Sequence, residues 1–371
     1  MPWNGNSREP VSPGRGENAT PHSALSPAPL ERMGRGSGGG VHARRVVTAQ
    51  PEPNGQPEKE GPPRPALVVI LGPTASGKTG LAIQVAEALD GEIVSADSRQ
   101  IYRHMDIGTA KPTPADRAAV PHHLLDLVAP DETFTVAQYQ RHAYQAIGAI
   151  HARGRLPLLV GGTGQYITAV LEGWSIPEVP PNPNRRAELE DFAAEHGARA
   201  LHDRLRAADP AAADRIDHRN VRRVVRALEV YLETGTPITA HQRKSPPPYR
   251  ILQIGLTMRR ETLYERIDAR IDHMVKIGLL AEVRALLEAG YTWKHPAMSG
   301  LGYVQWRPYL EGNGDADAAI AAIRGATRSF ARRQYTWFNG HGAGIRWLDV
   351  TQVTPEAAIG GIQDWLSTRG G

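Results

Sequence analysis

The stretch "VVILGPTASGKTGLAI", residues 68–83, decides the fold. An apolar run ends in a glycine, a polar loop comes next, and Lys78 and Thr79 open a segment with helical spacing. Gly72, Pro73, Thr74, Ala75, Ser76, Gly77, Lys78 and Thr79 satisfy G-x-x-x-x-G-K-[ST] in full. They also stand between a strand and a helix, the context in which that pattern carries meaning. The glycines let successive backbone N–H groups turn inward, and the helix N-terminus adds positive potential. Lys78 adds a point charge and Thr79 a hydroxyl for Mg²⁺. The motif is a phosphate cradle, and a nucleotide, ATP above all, is its usual guest. Whose phosphate it holds depends on the rest of the chain.

Residues 66–71, "ALVVIL", read as a buried strand, and "TGLAIQVAEALD" as the next helix. "EIVSADS" is a second strand ending in polar residues. "TVAQYQRHAYQAIGAIHARG" is a helix closed by Gly154, and "LPLLVGGTGQY" is a third buried strand running into a Gly-rich turn. Alternating helices and fully apolar strands predict an α/β fold of the P-loop NTPase-like kind, a parallel sheet flanked by helices on both faces. At "PEVPPNPNRR" the pattern breaks. A Pro-rich joint over 177–183 leads into Ala- and Arg-rich helices, read as an inserted all-helical domain. "ILQIGLTM" then returns as a strand, and helices continue in "ETLYERIDARIDHMVKIGLLAEVRALLEAG" and "ADAAIAAIRGATRSFARRQYTWFNG". The expected organisation is an N-terminal extension over 1–65, core over 66–173, insertion over 174–235, more core over 236–350, and a C-terminal helix or tail over 351–371. A chain of 371 residues is long enough for this.

The extension holds 12 Pro and 10 Gly with no apolar periodicity. Such a segment buries too little surface to offset its chain entropy, so disorder is expected. It lacks the apolar stretch of a signal peptide and fits a transit peptide poorly. The chain has no cysteine, which excludes disulfides, thiolate zinc sites and a cysteine nucleophile. No apolar run approaches a membrane span, and the expectation is a soluble, cytoplasmic monomer. A net charge of +4 permits a polyanionic partner.

Nucleotide hydrolysis needs an acid after a later apolar strand to hold Mg²⁺ and position water. The best later strand, "LPLLVGG", ends instead in Gly161 and Gly162. The acid that does end a strand is Asp97, about twenty residues after the phosphate loop. An acid there suits transfer to an acceptor, with Asp97 near the acceptor's nucleophile; its other reading is a turn or helix cap. A second feature concerns the acceptor. Arg219, Arg222, Arg223 and Arg226 fall at i, i+3, i+4 and i+7, one face of a helix, while Val221, Val224, Val225 and Leu228 take other positions. From Arg199 to Arg250 there are 11 Lys and Arg against 6 Asp and Glu, a net +5. One-sided guanidinium stripes suit a phosphate backbone, although a solvated face has the same look. Arg324, Arg328, Arg332 and Arg333 form a second basic set on the last long helix. Together they point to a nucleic-acid acceptor.

These residues resemble one family, the tRNA dimethylallyltransferases (tRNA isopentenyltransferases). The motifs are "GPTASGKT", "EIVSADSRQIYRHMDIGTAKP", "HHLLDLVAPDETFTVAQYQ", "LPLLVGGTGQY", "RNVRRVVRALEVYLETG", "IGLTMRRETLYERIDARIDHMVKIGLLAEV" and "ATRSFARRQYTWF", in the family's order from about residue 66 to 350. The resemblance implies transfer of a dimethylallyl group from dimethylallyl diphosphate to N6 of the adenosine beside the anticodon, in tRNAs that read codons beginning with U. It implies Asp97 as the base for the amine. The phosphate loop with Lys78, Thr79 and Mg²⁺ would hold the diphosphate, and a catalytic arginine would lie in "TMRRETLYERI". By alignment that arginine is Arg260, ahead of Arg259 and Arg266. Asp97, Ser98, Arg99 and Gln100 would face the extruded nucleotide, with Thr163 near the substrate. Arg222, Arg223, Val224, Val225 and Arg226 would meet the anticodon stem-loop, with Val224 and Val225 departing from the family's more polar pattern. Tyr166 and the aromatics of "RQYTWF" read as core, and His122 and His123 as turn or core residues without a third metal ligand. The competing reading is a P-loop small-molecule kinase, which shares the loop and Asp97 but does not need the basic insertion. A nucleic-acid motor or switch NTPase is disfavoured by the missing late acid.

Overall fold

A computed structural model describes residues 64–177, 179–341 and 344–368; except for Arg64 and Pro65, the expected disordered extension lies outside the described residues. The strands are β1 (Ala66–Leu71), β2 (Gly91–Ala96), β3 (His122–His123), β4 (Leu156–Gly161), β5 (Arg250–Thr257) and β6 (Ile345–Asp349). Between β1 and β4 lie helices α1 (Lys78–Ala88), α2 (Pro114–Ala119) and α3 (Val136–Ala152). From β4 to β5 the chain forms α4 (Gly164–Glu172), α5 (Pro183–His196), α6 (Ala198–Ala208), α7 (Pro210–Ala213), α8 (Val221–Thr234) and α9 (Ile238–His241). After β5 come α10 (Arg260–Lys276), α11 (Leu279–Glu288), α12 (Arg307–Leu310), α13 (Ala316–His341) and α14 (Pro355–Ser367).

The six strands form one sheet in the order β3-β2-β4-β1-β5-β6, with every pairing parallel. Strand side chains alternate between faces, and β1 shows the consequence. Leu67, Val69 and Leu71 pack with Tyr139, Ile147, Tyr166 and Val170 of α3 and α4. Val68 and Ile70 face the other way, onto Ala82 and Val85 of α1 and Ile362 of α14. Both faces are covered, as continuous apolar strands require. Burying five such side chains contributes on the order of 10 kcal/mol before entropy. α3 starts at a capping box, Thr135 with Gln138, and stops before Gly154 as expected.

The insertion leaves and re-enters the core through an antiparallel pair. Ser175 N–H donates to Arg243 O at 2.8 Å, and Ser245 N–H to Gly173 O at 2.9 Å. Its own core gathers Leu189, Leu201, Leu205, Val224, Val225 and Leu228, with Ile238 of α9 packed against it. The helical unit therefore continues past residue 235, to the pair at 243–245. Among the described residues no helix is long and apolar enough to cross a membrane.

Candidate active site

Strands β2, β4 and β1 lie side by side and point the same way. Their C-terminal ends therefore bring three segments to one edge of the sheet: Asp97 after β2, the Gly161–Thr163 turn of β4, and the phosphate loop after β1. Ligands of open α/β sheets bind at this carboxyl edge. In the loop, Gly72 has φ of +145°, and a Cβ there would stand 2.7 Å from Leu256 O, so only glycine fits. Lys78 Nζ donates to Pro73 O at 2.6 Å. Ser76 is fully buried, and its Oγ has no hydrogen-bond partner among the described residues.

Charge is concentrated here. Arg270 of α10 reaches the loop, with Nη1 3.4 Å from Thr74 Oγ1. Burial, then the neighbouring Arg270 cation, lowers Lys78 to about 7, with Asp97 acting in the opposite sense. Burial lowers Arg270 as well, again against Asp97. Two cations desolvated with one carboxylate nearby form a site short of negative charge.

Arg270 stands against the phosphate loop, whereas the alignment-based choice, Arg260, stands at the start of α10. Arg260 is the first residue of α10, its side chain 72% exposed and 3.7 Å from Glu261; Arg259 is 81% exposed. The phosphate-loop side of α10 appears two turns later. Arg266 and Arg270, at i and i+4, each precede a buried isoleucine, Ile267 and Ile271, so they flank the stripe facing inward. Arg266 Nη1 lies 3.9 Å from the Cβ position of Gly77. The spacing of these arginines against the buried isoleucines is the signal that the sequence holds for them.

Asp97 is half-buried at the end of β2, and its Oδ1 accepts the Arg99 amide at 2.8 Å. Thr163 occupies the cap position of α4 but makes no side-chain cap bond. Its Oγ1 instead accepts the Ser98 amide at 3.0 Å and lies 3.3 Å from Ser98 Oγ. Asp97, Ser98 and Thr163 are thus brought together beside the phosphate loop. The Gln100 carboxamide accepts from Ser95 Oγ and donates to Thr109 O and Ala110 O, which fixes the loop ahead of α2. The Arg99 side chain donates to Pro296 O at 3.1 Å. The same loop is held by Glu282 of α11, whose carboxylate accepts the amides of Asp106, Ile107 and Gly108 and the Tyr303 hydroxyl. Lys111, whose side chain is 1% exposed, sits between Asp106 and Asp126 at 2.6 and 2.7 Å. Much of "SADSRQIYRHMDIGTAKP" therefore shapes the loop.

The basic insertion is narrower than its sequence. α8 begins after the Asn220 cap, so Arg219 lies off the helix and pairs with Asp217 at 2.6 Å. Val224 and Val225, expected at the tRNA, are 0% and 2% exposed; they are the apolar face that docks α8 on the insertion core. Arg222 and Arg223 are exposed. Arg226 donates to Glu229 at 2.6 Å and to Val179 O at 3.2 Å. Burial pushes the Glu229 carboxyl up, but bonds from Arg186, Arg226 and the Asn182 amide outweigh it and hold it below the usual range. Arg215, Arg223, Arg226 and Arg243 line a cleft of about 710 Å³ between insertion and core. On α13, Arg324 and Arg328 pair with Asp272 and Asp268, so half of the second basic set fastens α13 to α10. Tyr166 stacks on Tyr139 inside the core, with centroids 3.8 Å apart. His122 bonds Val120 O and His123 bonds Glu92; no group of three His, Asp or Glu suited to a metal occurs among the described residues.

Two family models match the chain, one described as IPP transferase over residues 100–341 and one as isopentenyl transferase over residues 65–127. A curated tRNA dimethylallyltransferase from Roseiflexus castenholzii is 58% identical over 272 residues, 73% of this chain and 89% of the relative. Another from Herpetosiphon aurantiacus is 54% identical over 276 residues, covering 74% and 88%. The crystal structure of a tRNA isopentenylpyrophosphate transferase from Bacillus halodurans superposes with TM-score 0.61 at 42% identity, covering 82% of this chain and 96% of that one. A eukaryotic dimethylallyltransferase captured acting on tRNA gives TM-score 0.72 at 27% identity, covering 82% and 80%.

Proposed function

This chain belongs to the tRNA dimethylallyltransferase family, and we propose from that membership that it transfers a dimethylallyl group from dimethylallyl diphosphate to N6 of the adenosine beside the anticodon. The observation that carries the reading is the cation-rich phosphate loop facing Asp97, with Gly161 and Gly162 where a hydrolase would hold its acid. In the reaction the C1–O bond of the donor breaks and its electron pair leaves on diphosphate. The N6 lone pair forms the new bond to C1, and the N6 proton passes to Asp97. An aromatic amine is a poor nucleophile, so a base that takes this proton lowers the barrier. Lys78, Arg270 and the loop amides stabilise charge growing on the leaving oxygens. The adenine reaches Asp97 only after leaving its stack, and Ser98 and Thr163 stand beside that position.

Mg²⁺, when bound, neutralises part of the phosphate charge. The residues fit it: Thr79 supplies a hard oxygen at the helix start, and with no three-ligand protein cluster among the described residues the phosphate oxygens and water would complete the shell, as Mg²⁺ favours. A monomer working in the cytoplasm completes the proposal.

Labelled dimethylallyl diphosphate, Mg²⁺ and unmodified tRNA test it. Label in the tRNA is expected; ATP consumption without prenyl transfer would overturn the reading in favour of a kinase.

The geometry carries two further expected outcomes. Lys78 is part-neutral near pH 7 in the free protein, and diphosphate favours its ammonium form. Its pKa therefore rises on binding, and protons are taken up between pH 7 and its ordinary value of 10.5. Calorimetry at pH 8 in buffers of different ionisation heat should show uptake that Lys78→Arg removes; equal uptake in both proteins would show that Lys78 is already charged. On the insertion, Arg222→Gln and Arg223→Gln should weaken tRNA binding and each reduce the slope of log K against log salt by roughly one unit. Arg226→Gln should instead lower thermal stability, because it strips a partner from buried Glu229.

A further inference from the structure

Gln334 of α13 is 6% exposed. Its Oε1 accepts the Thr74 amide at 2.8 Å, and its Nε2 donates to Gly162 O at 2.8 Å. One carboxamide thus ties the phosphate loop after β1 to the turn after β4. The turn continues into Thr163, whose hydroxyl takes the Ser98 amide at 3.0 Å, next to Asp97. An unbroken chain, Thr74–Gln334–Gly162–Thr163–Ser98, runs from the phosphate cradle to the base. A Cβ on Gly162 would meet Nε2 at 2.3 Å. The amide therefore fills the space that a side chain at Gly162 would need, while a Cβ on Gly161, the last residue of β4, would meet Ala96 O at 2.1 Å.

We propose that Gln334 is a positioning residue for prenyl transfer, fixing the separation between the donor loop and the acceptor turn; this rests on the function proposed above. The reacting carbon and N6 belong to two substrates held by two different loops. A transfer of this kind is sensitive to displacements of about 1 Å, which can cost a hundredfold in rate. A carboxamide is the side chain that can donate to a carbonyl and accept from an amide at once. Neither bond touches a substrate, so loss of Gln334 acts on kcat and leaves both substrate sites able to bind.

The test uses the full chain with dimethylallyl diphosphate and unmodified tRNA. Gln334→Met keeps the length and removes both bonds; kcat should fall roughly tenfold to fiftyfold with both KM values within about twofold. Gln334→Glu supplies the missing readout. Its ionised carboxylate accepts from Thr74 but cannot donate to Gly162, whereas the protonated form does both. Its activity relative to wild type, measured where melting curves show both proteins fully folded at every pH, should therefore rise as pH falls, a dependence that fold stability does not then supply. Wild-type transfer reports on the function, and the variant ratios report on Gln334. Should Gln334→Met fail to fold, the pH profile of Gln334→Glu carries the test alone. The proposal is overturned if Gln334→Met keeps kcat within twofold of an active wild type, or if the Gln334→Glu profile parallels wild type at every pH.

Discussion

Asp97→Ala is expected to lower kcat by two to four orders of magnitude while tRNA affinity changes by no more than about twofold. The loss is large because, among the described residues, the segments that follow β1 and β4 offer no carboxylate beside Asp97: β4 ends in Gly161, and Gly162 and Thr163 follow it. Asp97 also does a quiet job, accepting the Arg99 amide at 2.8 Å, and a turn role alone would make its removal a matter of stability. Asp97→Asn separates the two. Asparagine keeps the turn acceptor but cannot take a proton. A base requires that Asn and Ala lose turnover alike, while a turn residue requires that Asn work and Ala destabilise. Single-turnover transfer with saturating donor, alongside equilibrium tRNA binding and thermal melting, decides between them. If Asp97→Asn retained more than a tenth of wild-type turnover, proton transfer to this residue would be ruled out.

How far the chain can be read from its sequence depends on the range of the forces involved. β1, β2 and β4 are legible because strands buried on both faces must be apolar throughout, and the phosphate loop because local backbone geometry demands its glycines. β6 is not. "IRWLD" is a half-buried edge strand that pairs only with β5, and its place in the sheet comes from residues almost a hundred positions away. The two-residue β3 carries no pattern at all. Within the site, motif alignment finds α10 but not its face: Arg260 and Arg270 share a helix, and only the buried register of Leu263, Ile267 and Ile271 says which one turns toward the loop. Gln100 shows another limit. A polar residue inside a functional motif can serve substrate or fold, and the local bonds of Gln100, to the Ser95 hydroxyl and to two backbone carbonyls, are not announced by the motif. Gln334 lies 260 residues from its partner Thr74, a contact that no local pattern announces.

Arg270→Ala should reduce kcat by about a hundredfold to a thousandfold, the usual cost of removing one preorganised donor from a developing anion, whereas Arg260→Ala should stay within about twofold. The contrast rests on desolvation. Arg260 is solvated, where a charge interaction is weakened by water. Arg270 is held where burial already works against its charge, so an arriving diphosphate relieves a cost that the free protein carries. Arg270→Lys should recover only part of the loss, since an ammonium lacks the planar fork that spans two phosphate oxygens. A second readout shows whether Arg270 acts through the loop or merely packs there. The Arg270 cation is one of the two causes that lower Lys78. Without it the lysine moves back toward its ordinary value, with burial still acting against its charge. Proton uptake on diphosphate binding should therefore shrink in Arg270→Ala as transfer fails. Loss of turnover with unchanged uptake would place Arg270 outside the electrostatic reach of Lys78 and return the search for the catalytic arginine to Arg266.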